Sequence, residues 1–253
     1  MSFFKRSLRT LQIFTKMWRY LELANFDGAP YQKLKRRYAR ELSRHLNLKI
    51  STNLTSHSLP GPAIYVSNHI SYLDIPLVMN IVSDACFVSK SEIAMWPVIG
   101  QAARRIETVF VKREKKSSRE GARKALAKVL SEEKKKIIVF PSGTTSIHKT
   151  EFWRKGVFEI AHQHHIPVIP IRLNYEPLRE IAYIDDDNFM AHLLRLVAHE
   201  RLDVHIEFGE MQKITNPLAD CHRIKEWCEA HMDIQQGSPL LTNPQQKVEV
   251  LLT

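Results

Sequence analysis

The run Ala63-Ile64-Tyr65-Val66-Ser67-Asn68-His69-Ile70-Ser71-Tyr72-Leu73-Asp74-Ile75-Pro76-Leu77-Val78-Met79 decides the fold of this chain. Its first four residues are apolar without a break, the mark of a short strand buried on both faces. The leucine-rich stretch from Ile75 reads as the opening turns of a helix. His69 and Asp74 therefore stand on a strand-to-helix turn, at the sheet edge where open α/β folds place their ligands. Such a turn brings the carboxylate back against the imidazole. There it fixes the tautomer and stabilises the imidazolium that forms when His69 takes a proton. A plainer explanation stands beside this one, in which Asp74 starts the helix and His69 packs into the turn.

Working outward, further apolar β-branched runs fall at 85–89, 108–112, 136–140 and 167–173, with helical patterns at 117–131 and 153–164. The alternation predicts an α/β fold, a central mixed sheet flanked by helices. A Trp96-Pro97-Val98-Ile99-Gly100 turn leads into a further helix before the strand at 108. The strand at 136–140 runs straight into Ser142-Gly143-Thr144-Thr145-Ser146, a small-residue turn that offers N–H groups and hydroxyls to an anion or a polar headgroup. Prolines 167 and 170 suit an edge strand or a strand entry. A helical segment at 188–199, a strand at 203–208 and a helix at 219–232 complete the folded part.

Charge is concentrated at one end. Residues 1–49 hold twelve Lys/Arg against three Asp/Glu, whereas the whole chain carries only +10. Phe3, Phe4, Leu8, Leu11, Phe14, Trp18 and Leu21 make one helical stripe within that segment, and a second helix starts near Pro30. This predicts an N-terminal amphipathic helical hairpin in monotopic contact with an anionic membrane surface. The alternative is a hairpin packed on the domain with a solvated basic face. The division expected is a membrane-contact segment at 1–49, a catalytic domain at 50–236 and a loose extension at 237–253. No stretch reaches the roughly 18 apolar residues of a membrane span, and no signal peptide is evident. Cys86, Cys221 and Cys228 form no pairing or metal-ligand pattern, which suits a reducing compartment and hence the cytoplasmic face of a membrane.

Four blocks, in order, resemble the glycerolipid acyltransferase family, of the 1-acyl-glycerol-3-phosphate acyltransferase type. Asn68-His69 with Asp74 looks like the first motif of that family. Val109-Phe110-Val111-Lys112-Arg113 is similar to the second, Phe140-Pro141-Ser142-Gly143-Thr144-Thr145-Ser146 sits where the third belongs, and Val168-Ile169-Pro170 matches the fourth. Trp153-Arg154-Lys155-Gly156 resembles the aromatic-basic-x-Gly step that opens the next helix. The resemblance implies His69 as general base and Asp74 as its partner. It further implies substrate contacts from Asn68, Arg113, Ser142, Gly143, Thr144, Thr145 and Arg154. It implies an acyl thioester, acyl-CoA or acyl-carrier protein, as co-substrate, with no metal and no cofactor.

One motif departs from the family. Its third block normally reads Phe-Pro-Glu-Gly-Thr-Arg-Ser, and here Ser142 and Thr145 replace the glutamate and the arginine. Arginine offers a planar fork of donors to phosphate, threonine a single neutral hydroxyl. The leading acceptor is 1-acyl-glycerol-3-phosphate. A different lysolipid headgroup, a lyso-aminolipid among them, and a catalytically silent lipid-surface scaffold are the alternatives. Arg104, Arg105, Lys112, Arg113, Lys149 and Arg154 are near enough in sequence to replace the lost arginine.

Competing classes fit less of the chain. A nucleic-acid-binding module explains the basic segment but not the blocks around His69, so no nucleic-acid partner is expected. A hydrolase built on Ser142 lacks the Gly-x-Ser-x-Gly elbow, since Pro141 precedes it. His162, His164 and His165 read as a helix end, Asp185-Asp186-Asp187 as a solvated turn and cap, and His148 as a minor substrate contact.

Overall fold

A computed structural model describes residues 3–23, 31–54, 61–95, 99–111, 116–232 and 248–249. Among these, the strands are β1 (Leu48–Thr52), β2 (Ile64–Ser67), β3 (Ala85–Lys90), β4 (Val109–Val111), β5 (Lys136–Val139), β6 (Val168–Glu176), β7 (Leu202–Phe208) and β8 (Val248–Glu249). They form one mixed sheet in the order β4-β3-β5-β2-β6-β7-β1-β8. The strands from β4 to β6 are parallel, β7 runs antiparallel to β6, and β1 lies parallel to β7. The helices are α1 (Phe3–Leu23), α2 (Tyr31–His45), α3 (Asp74–Ile81), α4 (Ile99–Arg105), α5 (Lys116–Ser131), α6 (Gly156–Gln163), α7 (Leu178–Ile181), α8 (Phe189–Leu196) and α9 (Pro217–Cys228).

The period-two alternation of a strand sends successive side chains to opposite faces. Tyr65 and Ile138 accordingly join one core with α2, α3 and α8, while Ile64, Val66, Ile137 and Val139 join the other with α5, α6 and α9. Burial on both faces is why β2 and β5 read as unbroken apolar runs. The expected strands and helices are present with ends shifted by a few residues. α9 begins at Pro217 because Asn216 caps it, accepting from the amides of Leu218 and Ala219.

Two expectations are corrected. β6 is an interior strand, paired with β2 on one side and β7 on the other, so Pro170 does not mark an edge, whereas Pro167 stands just before the first residue of β6, at the strand entry. Pro170 is tolerated because the β7 ladder begins only at Ile171, so no β7 bond needs its missing N–H. The sequence reading also has no strand between the basic helices and residue 63. β1 lies there, with Leu48, Ile50 and Thr52 inward, and it crosses the expected division at residue 49. Trp96, Pro97, Val98, Lys112 and Arg113 lie outside the described residues, as does the tail except for Val248–Glu249, which pairs with β1.

The N-terminal hairpin packs on the body. Tyr20 of α1 donates to Glu41 of α2 at 2.7 Å, Lys16 pairs with the same carboxylate at 3.1 Å, and the rings of Tyr20 and Tyr38 meet edge-on. Ile13 and Leu42 are buried, yet Phe4, Leu8, Leu11 and Trp18 remain exposed on α1. Among the described residues no helix is long and apolar enough to cross a membrane.

Candidate active site

β2 ends at Ser67 and β5 at Val139, neighbouring parallel strands whose C-terminal ends deliver the first and third sequence blocks to one place. His69 Nδ1 lies 2.6 Å from Asp74 Oδ2. The same oxygen accepts the amides of Ile70 at 2.8 Å and Ser71 at 3.1 Å, and Asp74 Oδ1 accepts the hydroxyl of Tyr175. Every group that reaches Asp74 is a donor, so His69 must present Nδ1–H to it. That leaves the lone pair on Nε2. The carboxylate is fully buried, while the imidazole keeps 18% of its surface exposed, enough to meet a substrate. The ring of Phe140 stacks on it, with centroids 4.1 Å apart and planes 15° from parallel.

The Phe140–Ser146 turn is held by main-chain bonds and by its own hydroxyls, with Ser142 Oγ donating to Thr144 O at 2.9 Å. Gly143 adopts φ +74° and donates its amide to Phe140 O at 3.0 Å. Gly is the residue that takes that conformation without steric cost. Ser146 N donates to His69 O at 2.9 Å and Arg154 N to Pro141 O at 3.1 Å, which ties the turn to the first block and to the start of α6. Past the turn, the buried Glu229 of the α9 end accepts from Thr150 N, Thr150 Oγ1 and Trp153 Nε1.

The expected site residues separate into two groups. His69, Asp74, Ser142, Gly143, Thr144 and Thr145 share one region. Asn68 does not face it: the side chain is fully buried, donates to Leu173 O and accepts from Leu173 N, both at 2.8 Å, and so stitches β2 to β6. Expected as a substrate contact, Asn68 is a structural bridge. Gly143 N–H is spent inside the turn, as above. Thr145, at the position of the missing arginine, donates its hydroxyl to Tyr183 O. The Arg154 side chain is exposed, and Arg113 lies outside the described residues. Of the other cations, Arg104 donates to Ala94 O at 2.8 Å and Lys149 pairs with Glu226 at 3.6 Å.

Beside Phe140 opens an apolar cavity of about 230 Å³ between α1, α2, α3 and α4, walled by Phe14, Met17, Tyr38, Met79, Phe87 and Ala103. Lys35 also lines it, with its ammonium 3.7 Å from Glu107. Burial holds the lysine below its ordinary value. Neither Phe140, as a ring platform, nor Tyr175, in its contact with the dyad, is among the residues expected from sequence. Only Phe140 carried a signal, its place inside a motif.

A sequence model of the Acyltransferase family matches residues 45–174 of the chain. The chain is 29% identical over 190 residues to a lyso-ornithine lipid O-acyltransferase of Pseudomonas aeruginosa, with 72% of each covered. It is 30% identical over 161 residues to the chloroplastic 1-acyl-sn-glycerol-3-phosphate acyltransferase BAT2 of Brassica napus, covering 58% of this chain and 46% of that one. Its fold matches the crystal structure of a 1-acyl-sn-glycerophosphate acyltransferase from Thermotoga maritima with a TM-score of 0.60 at 18% identity, over 90% of this chain and 96% of the other.

Proposed function

The chain belongs to the acyltransferase family, and from that premise we propose that it moves a fatty acyl group from a thioester to the free hydroxyl of a membrane lysolipid. The observation that carries this reading is the oriented dyad, His69 Nδ1 on the fully buried Asp74 carboxylate with 18% of the histidine side chain exposed. The acceptor hydroxyl binds at Nε2 and gives up its proton as its oxygen attacks the thioester carbonyl. Asp74 stabilises the imidazolium meanwhile. When the tetrahedral intermediate collapses, the C–S bond breaks and the departing thiolate takes the proton from His69, leaving ester and free thiol. General-base help of this kind is worth about 10² to 10⁴ in rate. The oxyanion is met by main-chain amides of the 142–144 turn other than Gly143, whose N–H is already used.

The cavity beside Phe140 accommodates an acyl chain, and the exposed face of α1 rests on an anionic membrane surface at its cytoplasmic side. The donor is acyl-CoA or an acylated carrier protein.

For the acceptor, the geometry around Thr145 favours a lyso-aminolipid, the class named in the Pseudomonas relative, over the 1-acyl-glycerol-3-phosphate first expected. A hydroxyl that already donates to Tyr183 O has no proton to offer a phosphate. The second reading, 1-acyl-glycerol-3-phosphate, is supported by the Brassica relative and by Arg113 in the second block. The test is thiol release from acyl-CoA, and then from acyl-carrier protein, with lyso-ornithine lipid, lysophosphatidic acid and other lysolipids, against His69→Ala. Turnover that survives His69→Ala, or none with any pair, would sink the proposal.

A further inference from the structure

Tyr175 stands on β6, far along the chain from the dyad, on the face of the sheet that carries Tyr65. It is buried, and its hydroxyl donates to Asp74 Oδ1, the oxygen opposite the one that receives His69. A buried phenol needs a polar partner. Here that partner is the carboxylate that orients the proposed base. Resting on the reading of His69 as general base, we propose that Tyr175 is a positioning residue that pins the Asp74 carboxylate and shares its accepting capacity with His69, setting the basicity of Nε2.

Two arguments lead there. The first is mechanical. The amides of Ile70 and Ser71 belong to the same turn as Asp74, so they move with it. Tyr175 reaches in from a different strand, and so references the carboxylate to the sheet itself.

The second is electrostatic. A carboxylate that takes four donors spreads its negative charge over all of them, and hydrogen bonds to a charged group are about twice as strong as neutral ones. Charge drawn off by the phenol is charge not felt by the imidazolium. Burial, with Asp74 beside it, holds the Tyr175 phenol well above its ordinary value, so it stays a donor through the whole working range. Besides Asp74, the Phe140 ring stacks on His69 and Ser146 N–H binds its carbonyl. His192 of α8 is engaged elsewhere, between Tyr72 Oη and Ala182 O, each at 2.9 Å.

Tyr175→Phe keeps the ring and removes only the donor. With that donor gone, Asp74 binds Nδ1–H more strongly and the imidazolium gains. Nitrogen-15 NMR of labelled histidine, assigned by subtraction with His69→Ala, should show the His69 titration midpoint moving up by about half a unit or more. The acid limb of kcat/KM should move with it. Plateau kcat should drop roughly tenfold as the carboxylate loses its anchor, while KM for both substrates stays within about twofold. An unmoved titration midpoint would overturn the proposal, and so would a loss of rate or of thermal stability without that shift. If the wild type turns over no lysolipid, the functional reading fails by itself, and the NMR midpoint still decides the role of Tyr175.

Discussion

Asn68 grips Leu173 at both ends of its side-chain amide, giving N–H to its carbonyl and taking its N–H, each at 2.8 Å. The residue just before the proposed base is thus clamped to the neighbouring strand, and His69 begins from a fixed point. Replacing Asn68 by Ala strands a buried carbonyl and a buried amide, each costing about 1–3 kcal/mol. Asn68→Ala should therefore lose roughly 2–6 kcal/mol in urea unfolding, with lost activity tracking the lost fold. A stable variant with a raised KM for the acceptor would return Asn68 to the substrate.

Thr145→Arg restores the donor fork at the position where the hydroxyl now turns to Tyr183. An arginine there meets a phosphomonoester with two charge-assisted bonds. We expect kcat/KM for lysophosphatidic acid to rise about tenfold or more relative to lyso-ornithine lipid. An unchanged ratio would mean that headgroup choice is made elsewhere.

Ala103 lines the apolar cavity from α4. Ala103→Phe should shorten the acyl chain the enzyme accepts best, because each methylene denied burial forfeits about 0.8 kcal/mol, nearly fourfold in binding. The check is product analysis over a series of donor chain lengths. An unaltered profile would place the chain outside this cavity.

Asp187 accepts from Arg179 at 3.0 Å, Arg195 at 3.3 Å and Ile184 N at 3.2 Å, in the turn that carries Tyr183. The Arg179 hydrogen bond leads in holding its carboxyl down at about 2. A folded value below the unfolded one, about 3.9, means the native state binds fewer protons. Its contribution is therefore complete above the unfolded value and is lost as pH falls towards 2. Asp187→Asn should lower the melting temperature at pH 6, and the gap to wild type should close as pH drops from about 4 towards 2. A gap independent of pH would show that packing, and not charge, holds this turn.

What the sequence made legible follows from range. The strand before Asn68, the helix after Asp74 and the dyad between them are local, and period and spacing carry local information. β1 has the alternation Leu48-Lys49-Ile50-Ser51-Thr52, but it is short and continues directly from a basic helical run, so its period is masked by its neighbour. Tyr175 lies 101 residues from Asp74, and nothing in its own neighbourhood distinguishes it from a core tyrosine. Asn68 sits inside a motif, and motif membership cannot tell a residue that touches substrate from one that braces its neighbour. The cavity exists only because α1 and α2 return over α3 and α4, a tertiary event no local pattern encodes.

The turn after β5 is fastened to His69 and to Arg154 through peptide groups, Ser146 N to His69 O and Arg154 N to Pro141 O. These bonds do not depend on which side chains the turn carries. The frame that holds the base in place is therefore indifferent to a change of identity at residues 142 and 145, and a substitution there tests the headgroup without disturbing the dyad's anchor.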